Sequence, residues 1–546
     1  MRIKLIFSPR NHEMYCDHPT RQPLIPPLGM AIVTGTARRA GFRVDQDDLD
    51  IKVYRDNEVS SNKNSGSKIV NMYLFNDIDW YQMMNSTQFP EDDMILEEAE
   101  RILNKTDIGG YDIYGFSIAD ETQLTPFVTT IALAKVLKEK TGACIVAGGF
   151  NFSRPVPEIN IINNDYIDYL LLCGATDFTK FLEKFGSGNI KDLEAIDWVV
   201  TKQNLRHVQT NILSVKIKNR EIFEDYCSLP DFTGLPLSLY RYRPYNYRAL
   251  TFDPKKILIL PVMFIRGCPN RCIFCPSSQR PYKLRYLNID KIIATLEYLK
   301  THYDCCHFMF LHDNINLSKQ FAQEFCKRLV ESDINIKWVD CATFKFLDRA
   351  LLELMKKSGA VKLIYGIESA SPRMMKYIKK PFTLEHAMRM LKISHNVGIW
   401  NEVELIAGLP YETDEDIQNT IEFINKSKKY IDYFYLNKYL LLDSEIYHNP
   451  EKYSIGNIKD NPIICDFPRR FDELNGLPWK RKKKQIINSY KKVLHHIQST
   501  NTKGYNLPLL LYLSDFFDNK NDLVIYYRQF SSYEKRNLLY KGVKKE

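Results

Sequence analysis

Three cysteines fall within one short stretch, Cys268-Pro-Asn-Arg-Cys272-Ile-Phe-Cys275, at C-x3-C-x2-C spacing. Thiolates this close together can grip three corners of a cubic iron–sulfur cluster. The fourth iron is then left without a protein ligand and is free to bind something else. A structural zinc ion wants four ligands, and no further Cys or His follows within the next twenty-five residues. Cys305 and Cys306 come later, where 306–311 reads as a strand. Three separately buried cysteines are the other alternative, but Pro269, Asn270 and Arg271 between them make a poor core.

The elements around this motif must place it. An apolar run over 257–265, interrupted only by Pro261, predicts a buried strand. The cysteines then lie on the loop leaving its carboxyl end, where α/β folds put their chemistry. Strand and helix alternate from there. A helix begins at Asn288 or Asp290 with Ile292, Ile293, Leu296 and Leu299 on one face. A strand over 307–311 ends at His312-Asp313-Asn314, and Ser318 caps the next helix. A strand over 337–342 leads to a helix over 348–357, closed by Gly359. A strand over 361–367 ends in Glu368-Ser369. Thr383 caps a helix that Gly398 ends. A strand over 401–406 leads to Gly408-Leu-Pro410, Asp414 opens a further helix, and 433–441 reads as the last strand. Six strands with helices between them predict a partial barrel whose strand ends face one site.

Residues 1–185 also alternate. Strands are expected over 2–7, 42–49, 112–118, 143–147 and 169–172. Helices are expected from Pro26-Pro27-Leu28-Gly29 to Arg39, within an insertion over 68–104, and over 125–140. Repeated strand–helix units predict a doubly wound parallel sheet. Gly29, Ser117, Gly148, Gly149 and Gly174 cluster at strand ends, where small residues let a large flat ligand approach the backbone. Ordinary turn chemistry is the plainer alternative. The alternating aromatic and basic stretch from Tyr240 to Arg248 could stack bases, or be a linker whose rings pack on both sides. Residues 442–546 lose the alternation and read as mainly helical, with a helix over 479–497 that begins Lys480-Arg-Lys-Lys-Lys484. Such a charge run is expected to be a solvated face. The expected domains are therefore 1–185, a linker over 186–255, the barrel over 256–441 and a helical region over 442–546.

The totals set bounds. A chain of 546 residues is too long for one core. Its hydrophobic fraction of 45% is ordinary, and no apolar stretch approaches the length of a transmembrane helix. The start reads as a strand rather than a signal peptide, which predicts a cytoplasmic protein. Twelve cysteines at irregular spacing do not suggest a disulfide framework. The net charge of +9 is mild and does not call for nucleic acid. No phosphate loop and no H-E-x-x-H metal motif is present.

C-x3-C-x2-C with an aromatic residue, Phe274, before the last cysteine resembles the radical S-adenosylmethionine superfamily. The resemblance implies a 4Fe-4S cluster on Cys268, Cys272 and Cys275. In that family the open iron binds the amino and carboxylate groups of S-adenosylmethionine, and one electron releases a 5′-deoxyadenosyl radical. It further implies S-adenosylmethionine contacts from Phe274, from Asp313 and Asn314, from the Gly366-Ile-Glu368-Ser369 strand end, where the carboxylate bonds ribose, and from Ile406 and Gly408 beside adenine. Pro26-Pro27-Leu28-Gly29, Ser117, Gly148-Gly149 and Cys173-Gly174-Ala-Thr-Asp177 resemble the cobalamin-binding domain that precedes many such barrels. This implies cobalamin held by Pro27, Leu28, Gly29, Ser117, Gly148, Gly149 and Gly174. The D-x-H-x-x-G motif that supplies an axial histidine is absent, and Asp17-His18 has the wrong spacing. The whole implies a cobalamin-dependent radical methyltransferase acting on an unactivated carbon or phosphorus centre of a small molecule or peptide. A low-potential donor such as flavodoxin or ferredoxin would serve it. A cobalamin-dependent cyclase or rrearrangement enzyme, and a non-catalytic cobalamin or redox sensor, remain the alternatives.

Overall fold

The computed structural model describes residues 1–10, 25–60, 92–118, 125–149, 161–172, 174–188, 193, 196, 198–206, 227–244, 255–279, 283–460, 469–498 and 506–530. Asp17, His18, Cys173, residues 68–91 of the expected insertion, and 245–248 of the aromatic–basic stretch lie outside them. The chain divides into two compact units, Met1–Arg241 and Tyr242–Leu539.

In the first unit the described elements run β1 (Arg2–Phe7), α1 (Leu28–Arg39), β2 (Arg43–Asp48), α2 (Leu49–Ser60), α3 (Asp93–Leu103), β3 (Ile113–Ser117), α4 (Thr125–Thr141), β4 (Cys144–Gly148), β5 (Tyr169–Leu171), α5 (Ala175–Gly186), β6 (Val199–Val200) and α6 (Leu237–Tyr240). The sheet order is β2-β1-β3-β4-β5-β6. All pairs are parallel except β5 with β6. The order reverses between β1 and β3, the switch point at which open α/β sheets bind ligands. Ile6, Tyr114, Phe116, Val128, Ile131 and Leu170 belong to one fully enclosed core. Residues beyond the expected boundary at 185 join this unit. Arg38 Nη1 donates to Asp231 at 2.8 Å, Gln46 Nε2 to the Asp231 carbonyl at 2.7 Å, and the buried Tyr240 hydroxyl donates to Asp48. The first tyrosine of the aromatic–basic stretch is thus committed to packing.

The second unit contains β7 (Ile259–Val262), β8 (Ile265–Arg266), β9 (Arg285–Tyr286), α7 (Ile289–Tyr303), β10 (His307–Phe310), α8 (Lys319–Glu331), β11 (Lys337–Ala342), α9 (Arg349–Lys357), β12 (Ala360–Glu368), α10 (Pro372–Tyr377), α11 (Leu384–Asn396), β13 (Trp400–Ala407), α12 (Asp414–Ser427), β14 (Tyr433–Lys438), α13 (Glu445–His448), β15 (Ile455–Asp460), β16 (Arg469–Glu473), α14 (Trp479–Gln498) and α15 (Leu507–Leu513). Six parallel strands pair in chain order, β7-β10-β11-β12-β13-β14. Pro261 sits in β7, an edge strand, where its missing N–H breaks no ladder on the open side. The run over 257–265 is consequently split between β7 and the short β8, which pairs with β9. Side chains of Asn288, Ser318, Asp348, Ser371, Thr383 and Thr413 accept backbone N–H bonds at six helix starts. Each such cap contributes about 1 kcal/mol and fixes where its helix leaves the preceding loop.

The C-terminal region is not purely helical, since β15 and β16 form an antiparallel ribbon. The segment 507–527 meets the amino ends of the barrel strands. Asp515 pairs with His307 at 2.9 Å, Lys520 pairs with Asp432 at 2.7 Å and donates to the Ile399 carbonyl at 2.7 Å, and Tyr527 lies against Trp400 with ring centroids 4.9 Å apart. No helix among the described residues is long and apolar enough to cross a membrane.

The start of α12 carries a pH-sensitive anchor. Burial pushes the Asp416 carboxyl up, but Arg373, the Ser371 hydroxyl and Thr413 outweigh it and bring the group from 3.8 down to about 2. Its stabilising contribution is complete above the unfolded value and is lost as pH falls through about 2. Denaturant unfolding followed from about pH 5 down to about pH 2 is expected to show a shallower acid loss for Asp416→Asn than for the unsubstituted protein. Identical slopes would remove Asp416 from the acid response.

Candidate active site at the barrel strand ends

The loop that carries the cysteines leaves β7 and β8 and is fastened from both sides. The Phe264 N–H donates to His312 Nε2 at 3.0 Å. His312 must therefore be neutral with its proton on Nδ1, and it donates to Asp340 at 2.6 Å. Both side chains are fully enclosed, so the dyad is a rigid post under the loop. On the other side the Ile273 N–H donates to the Ile378 carbonyl at 3.3 Å, and the Ile273 carbonyl accepts from Ile446 at 3.1 Å. Phe274 and Ile406 pack against one apolar cluster with Ile273, Tyr439 and Phe471.

Cys272 is buried, and Cys268 and Cys275 are partly exposed. Burial pushes all three thiols up, Cys268 to about 12. For Cys268 the Asn270 N–H opposes this, while Asp313, Cys275 and Cys272 add to it. The three thiols thus lie within each other's field. Among the described residues no three Cys, His, Asp or Glu side chains converge on a single ion position. Three thiols on one strand-end loop are the donor set that a cubic cluster takes, one sulfur to each of three irons.

Glu368 ends β12 at φ +68°, the left-handed region, beside a register shift between Gly366 and Glu368. A side chain other than glycine held there marks a constrained position. The bulge turns the Glu368 carboxylate back over Gly366. A Cβ on Gly366 would stand 2.4 Å from Glu368 Oε1, so glycine is required for the carboxylate to lie there. Lys380 Nζ donates to Glu368 at 3.4 Å and stands over the Phe274 and Phe382 rings at 5.8 and 5.4 Å. Burial pulls the Lys380 ammonium down, but Glu368, Cys272 and Cys275 outweigh it, and the net direction is upward. Burial pushes Glu368 up against the opposing Lys380.

Tyr365 bonds Ser394 of α11 at 3.1 Å, which marks that face of β12 as the outer one. On the inner face Lys362 pairs with Glu402 at 2.7 Å. Glu404, next to Gly366 in register, is pushed up to about 8 by burial, with Glu368 and Glu402 adding to it and Lys362 and Lys380 opposing.

The other expected positions fall into two groups. Asp313 accepts from the Ser277 hydroxyl at 2.7 Å, next to the cysteine loop. Asn314, beyond the end of β10, and Ile406, near the end of β13, are partly exposed. Ser369 is fully buried, and its hydroxyl accepts from the Ser371 N–H at 3.3 Å, so it serves the α10 turn. Gly408 has φ +88°, and a Cβ there would meet Ile486 of α14 at 2.6 Å.

Lys380 went unnoticed in the sequence, because a lysine before Pro381 at a helix end looks like any solvated one. The His312–Asp340 post was equally invisible, as its partners lie on different strands. Lys482 corrects an expectation. The run at 480–484 was expected to be a solvated face, yet Lys482 is fully buried and pairs with Glu473 at 2.7 Å, because α14 lays this position on the barrel.

In the first unit, Gly149 has φ +141° and a Cβ there would collide with the Ile118 carbonyl at 2.1 Å, so backbone packing already demands glycine. Gly148 approaches the Leu171 carbonyl, and Gly174 is the N-cap of α5. Ser117 ends β3, where its carbonyl accepts from Ser8 at 3.2 Å. Pro27 is the N-cap of α1 and Leu28 opens that helix. At Gly29, in the exposed first turn of α1, a Cβ would meet nothing within 4 Å among the described residues.

Residues 262–424 match the family model described as the Radical SAM superfamily. An uncharacterized methyltransferase of Pyrococcus horikoshii is 26% identical over 337 residues, covering 61% of this chain and 68% of that protein. The anaerobic magnesium-protoporphyrin IX monomethyl ester cyclase of Rubrivivax gelatinosus is 28% identical over 195 residues, 35% of this chain and 33% of that one. The radical S-adenosylmethionine methyltransferase TsrM from Kitasatospora setae, with tryptophan and aza-SAM bound, superposes with a TM-score of 0.59 at 14% identity, covering 98% of this chain and 99% of that one. Its form with cobalamin and a [4Fe-4S] cluster bound gives 0.57 at 15% identity with the same coverage. The chain thus shares the TsrM fold, and its barrel is a radical S-adenosylmethionine domain.

Proposed function

We propose that this protein is a cobalamin-dependent radical S-adenosylmethionine methyltransferase acting on an unactivated centre of a small-molecule or peptide substrate. The observation that carries the reading is the strand-end loop of Cys268, Cys272 and Cys275, with the buried Lys380–Glu368 pair beside it. When bound, the cluster supplies a low-potential electron to a sulfonium, and cobalamin supplies a transferable methyl group.

The residues around them bind, orient and exclude water. Cys268, Cys272 and Cys275 give up their protons on taking iron. Lys380 offsets the negative charge of these thiolates and of Glu368. Glu368 accepts from ribose hydroxyls, its carboxylate aimed by the bulge in β12. Asp313 and Asn314 orient the methionine part, and Phe274 and Ile406 form the apolar wall for adenine. Gly366 leaves room for the Glu368 carboxylate and Gly408 for Ile486, so both act on the ligand through what they seat, and Ser369 holds the turn that follows Glu368. In the first unit, Pro27, Leu28, Gly29, Ser117, Gly148, Gly149 and Gly174, at strand ends and at the helix starts that follow them, are the residues that would hold cobalamin. A soluble one-electron donor completes the set.

Anaerobic reconstitution is expected to give about four irons and about one cobalt per chain. Turnover is expected to yield 5′-deoxyadenosine together with S-adenosylhomocysteine. Deoxyadenosine without S-adenosylhomocysteine would replace methylation by cyclisation or rearrangement, and failure to cleave S-adenosylmethionine at all would leave a sensor. Serine at Cys268, Cys272 or Cys275 is expected to abolish both the iron and the cleavage products. Retention of both in any one variant ends the cluster assignment.

The buried pair makes a separate prediction about stability. Lys380→Met strands the Glu368 charge and is expected to cost about 3–5 kcal/mol, whereas Lys380→Met combined with Glu368→Gln regains most of it. A double variant no more stable than the single one would show that the two side chains do not act as a pair.

A further inference from the structure

The turn that follows β13, from Gly408 to Glu412, is held from inside the matched domain by Arg373, which donates to the Tyr411 carbonyl at 2.7 Å, and from outside it by several further bonds. Lys482 Nζ donates to the Leu409 carbonyl at 2.7 Å, pairs with Glu473 at 2.7 Å and donates to Gln485 Oε1 at 2.8 Å. An ammonium has three protons, and all three are used. The Tyr411 N–H donates to Glu473 Oε1 at 2.7 Å. Gln485 Nε2 donates to the Glu412 carbonyl at 2.5 Å, while Glu412 itself accepts from the Gly408 N–H at 2.6 Å. Ile486 closes on Gly408 so tightly that a Cβ there would lie 2.6 Å from its Cγ1. Glu473, Lys482, Gln485 and Ile486 all lie beyond residue 424, where the family match stops.

We propose that Lys482 is a positioning residue for S-adenosylmethionine, setting the turn 408–412 and through it the adenine wall at Ile406. The proposal rests on the functional reading above, which places adenine against this strand end. It makes the seating of α14 a condition for complete S-adenosylmethionine binding. The ligand site is then shared between the barrel and its C-terminal region.

The test uses the full chain with its cluster reconstituted and left oxidised, so that no turnover occurs. The dissociation constant of labelled S-adenosylmethionine is measured by equilibrium dialysis, with iron content and the visible spectrum recorded on the same samples. Lys482→Met is expected to weaken binding about tenfold or more at unchanged iron content. Lys482→Arg keeps the charge but mismatches three separate acceptors, and is expected to fall between. Gln485→Ala, which frees the Glu412 carbonyl, is expected to act in the same direction. Lys484→Met, an exposed member of the same run, is expected to leave binding unchanged. If the unsubstituted protein does not bind S-adenosylmethionine, the functional reading itself fails. If it binds, and an iron-loaded Lys482→Met matches it within about twofold, the positioning role is overturned. Should Lys482→Met not fold, unchanged binding by Gln485→Ala overturns it instead.

Discussion

Negative groups gathered where water is scarce persist only if a cation or a proton answers them. The mouth of the barrel is organised by that constraint. Three cysteines, which turn negative on taking iron, and Glu368 stand there, and Lys380 is the ammonium placed beside them, against two aromatic rings. Deeper in, Lys362 answers Glu402. Glu404 lies near both cations without owning either, and it is the carboxyl pushed up to about 8. Removing Lys380 would therefore disturb more than one contact, because the field of the whole strand end rests on it.

Placing these groups is a matter of backbone mechanics. Parallel strands in chain order bring successive carboxyl ends side by side, and around the mouth the Ile273 N–H reaches the carbonyl of Ile378, far along the chain. The His312–Asp340 dyad then fixes the height of the cysteine loop through a single N–H, that of Phe264. A neutral imidazole with a defined tautomer suits this task, since it accepts on one nitrogen and donates on the other. At the far side of the mouth the 408–412 turn is fixed by α14 and β16. The barrel is thus finished by side chains that do not belong to its repeating units.

The small residues of the first unit are not all held by the same force. Gly149 is demanded by the carbonyl of Ile118 and would be glycine in a protein with no ligand. At Gly29 no described residue makes such a demand. A list of strand-end glycines cannot separate these cases, whereas the space around each one can.

The cysteine spacing, the strand–helix alternation and the polar strand-end residues were all legible in the linear chain. Each is a local signal, set by a few consecutive residues: thiol spacing, hydrophobic period, cap and stop. Asn288, Ser318 and Thr383 cap helices where the sequence placed them. Whatever depended on burial was not legible. Lys380 and Lys482 look like solvated lysines until distant strands and a helix enclose them, and Glu368 gives no sign of its positive φ or of the bulge that aims it. Composition and periodicity record what a residue is and which face it takes. Only packing decides which charges lose their water, and that loss is what makes a lysine a counter-ion to a cluster loop rather than part of the surface.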